Sequence, residues 1–157
     1  MVLVVFMSFG ISFDEFTQVS ADYAGVYCLY LKDNANLDIF IPTIREQLAK
    51  KQNNIIYIGS SKTIMRRIYA NHLQGVGAST LRNTLLVFLA KNDFIIKNVS
   101  INKSAIISNW LKENTYFKIY QTSNFCQCEK DLIQKYQPIL NNGRRKFKDE
   151  LEKYSEN

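Results

Sequence analysis

The sequence predicts an α/β fold, a small, mainly antiparallel sheet of three strands flanked by helices. Three runs rich in β-branched and aromatic residues read as strands: Gly25-Val26-Tyr27-Cys28-Leu29-Tyr30-Leu31, Ile55-Ile56-Tyr57-Ile58-Gly59 and Thr115-Tyr116-Phe117-Lys118-Ile119-Tyr120. Between them, apolar residues recur at helical rather than alternating spacing. The 157 residues, 46% hydrophobic and 22% charged, suit one globular domain with a core of its own.

Residues 1–22 read as an N-terminal arm. Its opening, Met1 to Met7, is apolar but too short to span a bilayer and has no basic stretch before it, so a first strand or a packed arm is expected. Ser12-Phe13-Asp14-Glu15-Phe16 is expected as a short helical turn. The strand at 25–31 ends at the turn signal Lys32-Asp33-Asn34. In the insert 35–53, Ile39, Phe40, Ile44 and Leu48 recur around Pro42 and predict a short helix with proline in its first turn. The second strand covers 54–59. A helix from Thr63 to Leu73 turns Ile64, Ile68 and Leu73 inward, with Arg66, Arg67 and Tyr69 off that face, and Gly75-Val76-Gly77 breaks it. Ser79 or Thr80 caps the next helix, with Leu81, Leu85, Phe88 and Leu89 on its apolar stripe. A helix at 103–113, the strand at 115–121 and a helix at 125–136, with Glu129 near its start, complete the domain at 23–142. The tail, 143–157, is basic and then mixed in charge, and is expected as a short solvated helix or a frayed end.

A formal charge of +6 favours a polyanionic partner, because each cation that neutralises a phosphate releases condensed counterions. Three cysteines, Cys28, Cys126 and Cys128, are an odd count and exclude a complete disulfide framework. With His72 the only histidine, they lack the paired spacing of a zinc site, and a reducing, cytoplasmic setting is expected.

Hydrolysis of a phosphodiester requires deprotonation of a nucleophile, neutralisation of the phosphorane and stabilisation of the leaving oxygen. A hard cation can meet the last two needs through one carboxylate and several waters. Asp14, Glu15, Asp33, Asp38 and Glu46 fall in the arm, a turn or the insert, which leaves Glu129 as the best-placed carboxylate. Its plain structural reading is a favourable charge in a helix first turn. Tyr27 and Tyr57 lie on neighbouring strands; either is also a plain packing aromatic, and a phenol near pKa ~10 needs a nearby cation to act as a base. Arg67 has the planar, permanent charge of a phosphate clamp, or belongs to a solvated basic face. His72 is a candidate proton shuttle, against the reading of a surface or packing histidine.

Order and spacing tie these residues together. Gly25-Val26-Tyr27, Tyr57-Ile58-Gly59, Arg67 ten positions after Tyr57, Glu129 ahead of Leu132-Ile133, and Pro138-Ile139-Leu140-Asn141 form an ordered set. Over 24–142, about three quarters of the chain, this set resembles the GIY-YIG nucleases, with valine in the middle of the first tripeptide. Ser79-Thr80-Leu81-Arg82 and Trp110-Leu111-Lys112-Glu113-Asn114 further resemble stand-alone members. The resemblance implies a GIY-YIG-type sandwich and a Mg²⁺-dependent DNA endonuclease, Mn²⁺ being the expected substitute, with one ion per site held by Glu129. It implies water activation by Tyr27 or Tyr57, a phosphate clamp at Arg67, bracing by Asn141, and products with 5′-phosphate and 3′-hydroxyl ends. Lys62, Arg66, Asn141, Arg144 and Arg145 are the expected nucleic-acid contacts, with Ser60 and His72 around the site.

Three departures accompany it. Ser60 stands where many relatives carry lysine, with Lys62 as a replacement from the next turn. His72 follows Arg67 by five positions where several relatives have four. The 29 residues between Tyr27 and Tyr57 are closer to restriction-type spacing, and the insert that lengthens them either contacts DNA or covers a sheet edge. The alternative function is a non-catalytic DNA-binding module that retains the fold. RNA as substrate, a homodimer and a specificity-conferring partner protein all stay open at this level.

Overall fold

The computed structural model describes residues 4–7, 22–50, 53–89, 95–96, 99–100 and 103–155. Four strands, β1 (Val4–Met7), β2 (Gly25–Leu31), β3 (Ile55–Ser61) and β6 (Thr115–Gln121), form one sheet in the order β1-β6-β2-β3, each neighbouring pair antiparallel. Two short strands, β4 (Ile95–Ile96) and β5 (Val99–Ser100), pair separately. The helices are α1 (Pro42–Ala49), α2 (Ile64–Arg66, continued as a π-helix over Arg67–Leu73), α3 (Thr80–Phe88), α4 (Lys103–Asn114), α5 (Phe125–Tyr136), α6 (Ile139–Lys146) and α7 (Lys148–Ser155). The three expected strands lie side by side, and the apolar start of the chain adds β1 at the edge of β6. The helical turn expected at Ser12–Phe16 lies outside the described residues.

Alternation along β2 divides the molecule into two layers. Tyr27, Leu29 and Leu31 face the main core with Phe117 and Ile119 of β6, while Val26 and Cys28 face the other side. The main core is closed by Ile44 and Leu48 of α1, Ile64 and Ile68 of α2, Leu81, Leu85 and Phe88 of α3, and Ile107 and Leu111 of α4. On the opposite face, Cys128, Leu132, Ile133 and Tyr136 of α5 pack against Val26, Cys28 and Ile58, leaving a gap of about 250 Å³. Leu29 pairs with Tyr57 but Tyr30 with Ile55, so Ile56 is the extra residue of a β-bulge. Tyr57, in regular register opposite Leu29, shares the face of Tyr27, and past the bulge Ile55 points to the α5 side.

Three local expectations change. Tyr69, read as lying off the inward face of its helix, is buried at 3% exposure, because the π-helical turn rotates it into the core. Glu129 does not open its helix: α5 starts at Phe125, so Glu129 sits in the second turn and is not a first-turn charge at the helix dipole. Nor does the chain fray after Asn141. α6 runs through Gly143, where a Cβ would collide with Phe88, so the glycine lets α6 lie directly on α3. Phe147 is buried beyond it, and the solvated helix expected in the tail begins only at Lys148.

Candidate active site

The two tripeptides meet across β2 and β3. Tyr27 pairs with Gly59, and a Cβ at Gly59 would collide with Tyr27 Oη and Cζ, so the ring of Tyr27 occupies the place a side chain would take. Beside it, the ring of Tyr57 is centred 6.3 Å away and tilted by 35°. Tyr27 is 1% exposed and Tyr57 6%.

Over these rings lies α2. Asp22, just ahead of β2, accepts the backbone N–H groups of Met65 and Arg66 at 2.9 and 3.1 Å and so ties the first turn of α2 to the motif strand. The turn then widens. The N–H of Gln74 donates to the carbonyl of Tyr69, five residues earlier, at 2.9 Å. In a helix that closes after five residues, positions five apart stack as positions four apart do in an α-helix. Arg67 and His72 therefore lie on one face, and the extra residue between them is absorbed in the wide turn. Arg67 bears on both tyrosines, and one of its nitrogens donates to the Ala78 carbonyl at 2.8 Å.

His72 is fully buried, with Nε2 2.6 Å from Tyr27 Oη and Nδ1 2.8 Å from Ser79 Oγ. Ser79 is the N-cap of α3 and accepts the N–H of Arg82 at 3.1 Å. The Arg82 guanidinium, also buried, donates to the carbonyls of His72 and Leu73 at 2.9 and 3.4 Å. These are end-of-helix carbonyls with no partner in their own helix. Arg82 also donates to Ser108 Oγ at 2.9 Å and to the carbonyl and hydroxyl of Ser104 at 2.7 and 2.8 Å, which clamps α4 to the end of α2. Sequence patterning gave Ser79 only its capping role and nothing for Arg82. A buried arginine that satisfies carbonyls leaves no periodic signal.

Glu129 approaches from the other layer. It is half-buried on α5, and its carboxylate accepts the hydroxyl hydrogen of Ser60, next after Gly59. Asn141 binds the middle of the second tripeptide from the side: Ile58 N–H donates to its Oδ1 at 2.9 Å, and its Nδ2 donates to the Ile58 carbonyl at 2.8 Å. Because β3 ends the sheet, its outward backbone groups lack a strand partner, and this side-chain amide substitutes for one. With both ends of its amide engaged on Ile58, Asn141 is a brace. Lys62 and Arg66 are exposed near the start of α2, and Arg144 and Arg145 are exposed on α6.

Electrostatics separates the roles of these groups. Burial pushes the Tyr27 phenol well up, reinforced by Tyr57, while Arg67 opposes by charge and by a hydrogen bond. Burial also raises Tyr57, with the Arg67 charge opposing and the Glu129 charge adding to the rise. Burial, aided by the charges of Arg67 and Arg82, drives His72 down to about 3, so its imidazole is neutral at physiological pH.

Among the described residues no cluster of three or more His, Cys, Asp or Glu side chains could hold a metal. A lone half-buried carboxylate beside a hydroxyl is an all-oxygen donor set that suits a hard cation retaining most of its waters. No helix among the described residues is long and apolar enough to cross a membrane. Comparison with curated proteins and with solved structures finds no match. The family profile described as the GIY-YIG catalytic domain matches residues 25–156. Domains of this family depend on a metal ion and act on nucleic acid. With both tripeptides, Arg67 and Glu129 gathered around the end of β3, and the profile matched over most of its length, the chain belongs to the GIY-YIG nuclease family and is an endonuclease, a phosphodiester hydrolase.

Proposed function

We propose that the chain is a Mg²⁺-dependent DNA endonuclease that uses one ion at Glu129 and leaves 5′-phosphate and 3′-hydroxyl ends. The convergence of Tyr27, Tyr57 and Arg67 from one layer with Glu129 from the other, at the Gly59–Ser60 end of β3, carries the proposal. Glu129 would hold the cation, which would supply Lewis-acid stabilisation of the charge that develops on the phosphorane and the departing O3′. Ser60 orients the carboxylate through its hydroxyl. Arg67, charged and half-buried, holds the scissile phosphate.

Tyr57 is the base. Burial raises both phenols, and Tyr57 is the more exposed of the two, at 6% against 1%, and so the one within reach of a water. Tyr57 Oη takes the proton of the attacking water, the water oxygen bonds to phosphorus, and the P–O3′ bond breaks with the proton for O3′ drawn from solvent.

The test is cleavage of supercoiled plasmid and of matched DNA and RNA oligonucleotides with Mg²⁺, with EDTA and with Glu129→Ala. DNA cutting that needs both the metal and Glu129 is expected. Cutting that survives Glu129→Ala refutes the metal assignment, and a preference for RNA refutes the substrate.

A further inference from the structure

The buried chain of hydrogen bonds behind Tyr27 has a direction, and one residue sets it. Ser79 Oγ has two partners, the Arg82 backbone N–H and His72 Nδ1. The amide can only donate, so the Ser79 oxygen is an acceptor there, as its place at the N-cap of α3 requires. Its own hydroxyl hydrogen then has a single acceptor within reach, His72 Nδ1. With the opposite tautomer, Nδ1–H and the amide would both point at the oxygen, and the hydroxyl hydrogen of a side chain 3% exposed would have no acceptor.

We infer that Ser79 fixes His72 in the Nε2–H tautomer, so that His72 donates to Tyr27 and the hydrogen bonds run one way, from the Arg82 amide through Ser79 and His72 to Tyr27. Tyr27 Oη receives the imidazole N–H at 2.6 Å, which leaves its own hydrogen free to turn towards the site. In the reversed arrangement Tyr27 would spend its own hydrogen on His72. Ser79 is thus a positioning residue that acts on Tyr27 through His72 and touches no reacting atom. The neutrality of His72 agrees, since an imidazolium would donate from both nitrogens and leave the Ser79 hydroxyl hydrogen unmatched. The catalytic consequence rests on Tyr27 serving in the proposed active site; the tautomer does not.

His72 is the only histidine in the chain, so long-range ¹H–¹⁵N correlation on the intact protein reports its tautomer without ambiguity. The wild type is expected to carry its proton on Nε2. Two near-isosteric variants then separate hydrogen-bond direction from size. Ser79→Asn can accept the Arg82 amide with its oxygen and donate to Nδ1, so Nε2–H and cleavage are retained. Ser79→Asp also caps the helix but only accepts, so the proton moves to Nδ1 and plasmid cleavage falls by about tenfold or more.

A wild type with Nδ1–H, or with both nitrogens protonated at neutral pH, overturns the inference whatever the variants do. A Ser79→Asp protein that carries Nδ1–H yet cuts at the wild-type rate overturns the link from the tautomer to catalysis. Should that variant not fold, Ser79→Ala replaces it: slower cutting is expected, and an unchanged rate is fatal to the link. A wild type that cuts no nucleic acid refutes the proposed function, while its spectrum still decides the tautomer.

Discussion

At the scale of single residues, the site depends on a missing side chain and an uncharged histidine. The ring of Tyr27 lies where a Cβ of Gly59 would stand, so Gly59→Ala must push the ring away from His72 and Tyr57. Overpacking of this kind costs about 1–3 kcal/mol. Cleavage is expected to fall much further than stability, as read by plasmid assay beside urea unfolding; equal losses would mean that Tyr27 only packs. For the two phenols, Tyr57→Phe should slow cleavage by about 10²–10⁴-fold, the usual contribution of a positioned base, and Tyr27→Phe by less. The reverse ranking would exchange their roles. His72 also makes stability depend on pH. Its folded pKa, about 3, lies below the unfolded value near 6.5, so on acidification the unfolded chain binds the proton first. Its contribution is whole above about pH 6.5 and falls by up to about 1.4 kcal/mol per pH unit as pH drops towards 3. Urea unfolding between pH 7 and 4 should show this slope in the wild type and a shallower one in His72→Gln. Parallel curves would place a charged or exposed imidazole there.

At the scale of elements, the widened turn of α2 explains how much of the site could be read from sequence. Tyr27, Tyr57 and Gly59 were legible because strand alternation is strict and the tripeptides sit inside it; even the bulge at Ile56 leaves both phenols on one face. The helix-borne residues were less so. Projection at the α-helical period puts Tyr69 outside and leaves His72 one position out of step with Arg67, whereas the π-helix buries both Tyr69 and His72. Such a turn is invisible to periodicity because it holds only while tertiary contacts support it, here the Arg82 bonds to the carbonyls of His72 and Leu73. The helix of Glu129 was legible at 125–136, but its charge was read into the first turn although it is the fifth residue of that helix. If the wide turn merely accommodates one residue, that residue is dispensable. Asn71, half-buried and bonded to the Val76 carbonyl at 2.6 Å, is the one to remove. Deleting it should return the helix to four-residue closure with Arg67 and His72 still on one face, and plasmid cleavage should stay near the wild-type rate. Loss of cleavage in a folded deletion variant would show that the π geometry itself is needed.

At the scale of the molecule, the excess positive charge has a location. α6 is fixed to the middle of the second tripeptide by the two bonds between Asn141 and Ile58, and it exposes Arg144, Arg145 and Lys146. The helix that braces the catalytic strand is therefore also a basic surface held at a fixed distance from the site, a rigid arrangement rather than a loose cationic tail. Exposed Lys62 and Arg66 near the start of α2 add to the charge near the end of β3. Charges of this kind bind the phosphate backbone without reading bases, and each phosphate neutralised contributes about 0.9 to the slope of log affinity against log salt on duplex DNA. Replacing Arg144, Arg145 and Lys146 by glutamine should weaken DNA binding at low salt and flatten that slope by about two to three units. The three side chains are exposed, so unfolding should move by no more than about 0.5 kcal/mol. Cleavage at saturating DNA should persist, because Tyr27, Tyr57, Arg67 and Glu129 are untouched. An unchanged salt slope would move the nucleic-acid path off α6, and a lost saturating rate would mean that α6 holds the phosphate in the reacting geometry rather than merely attracting the strand.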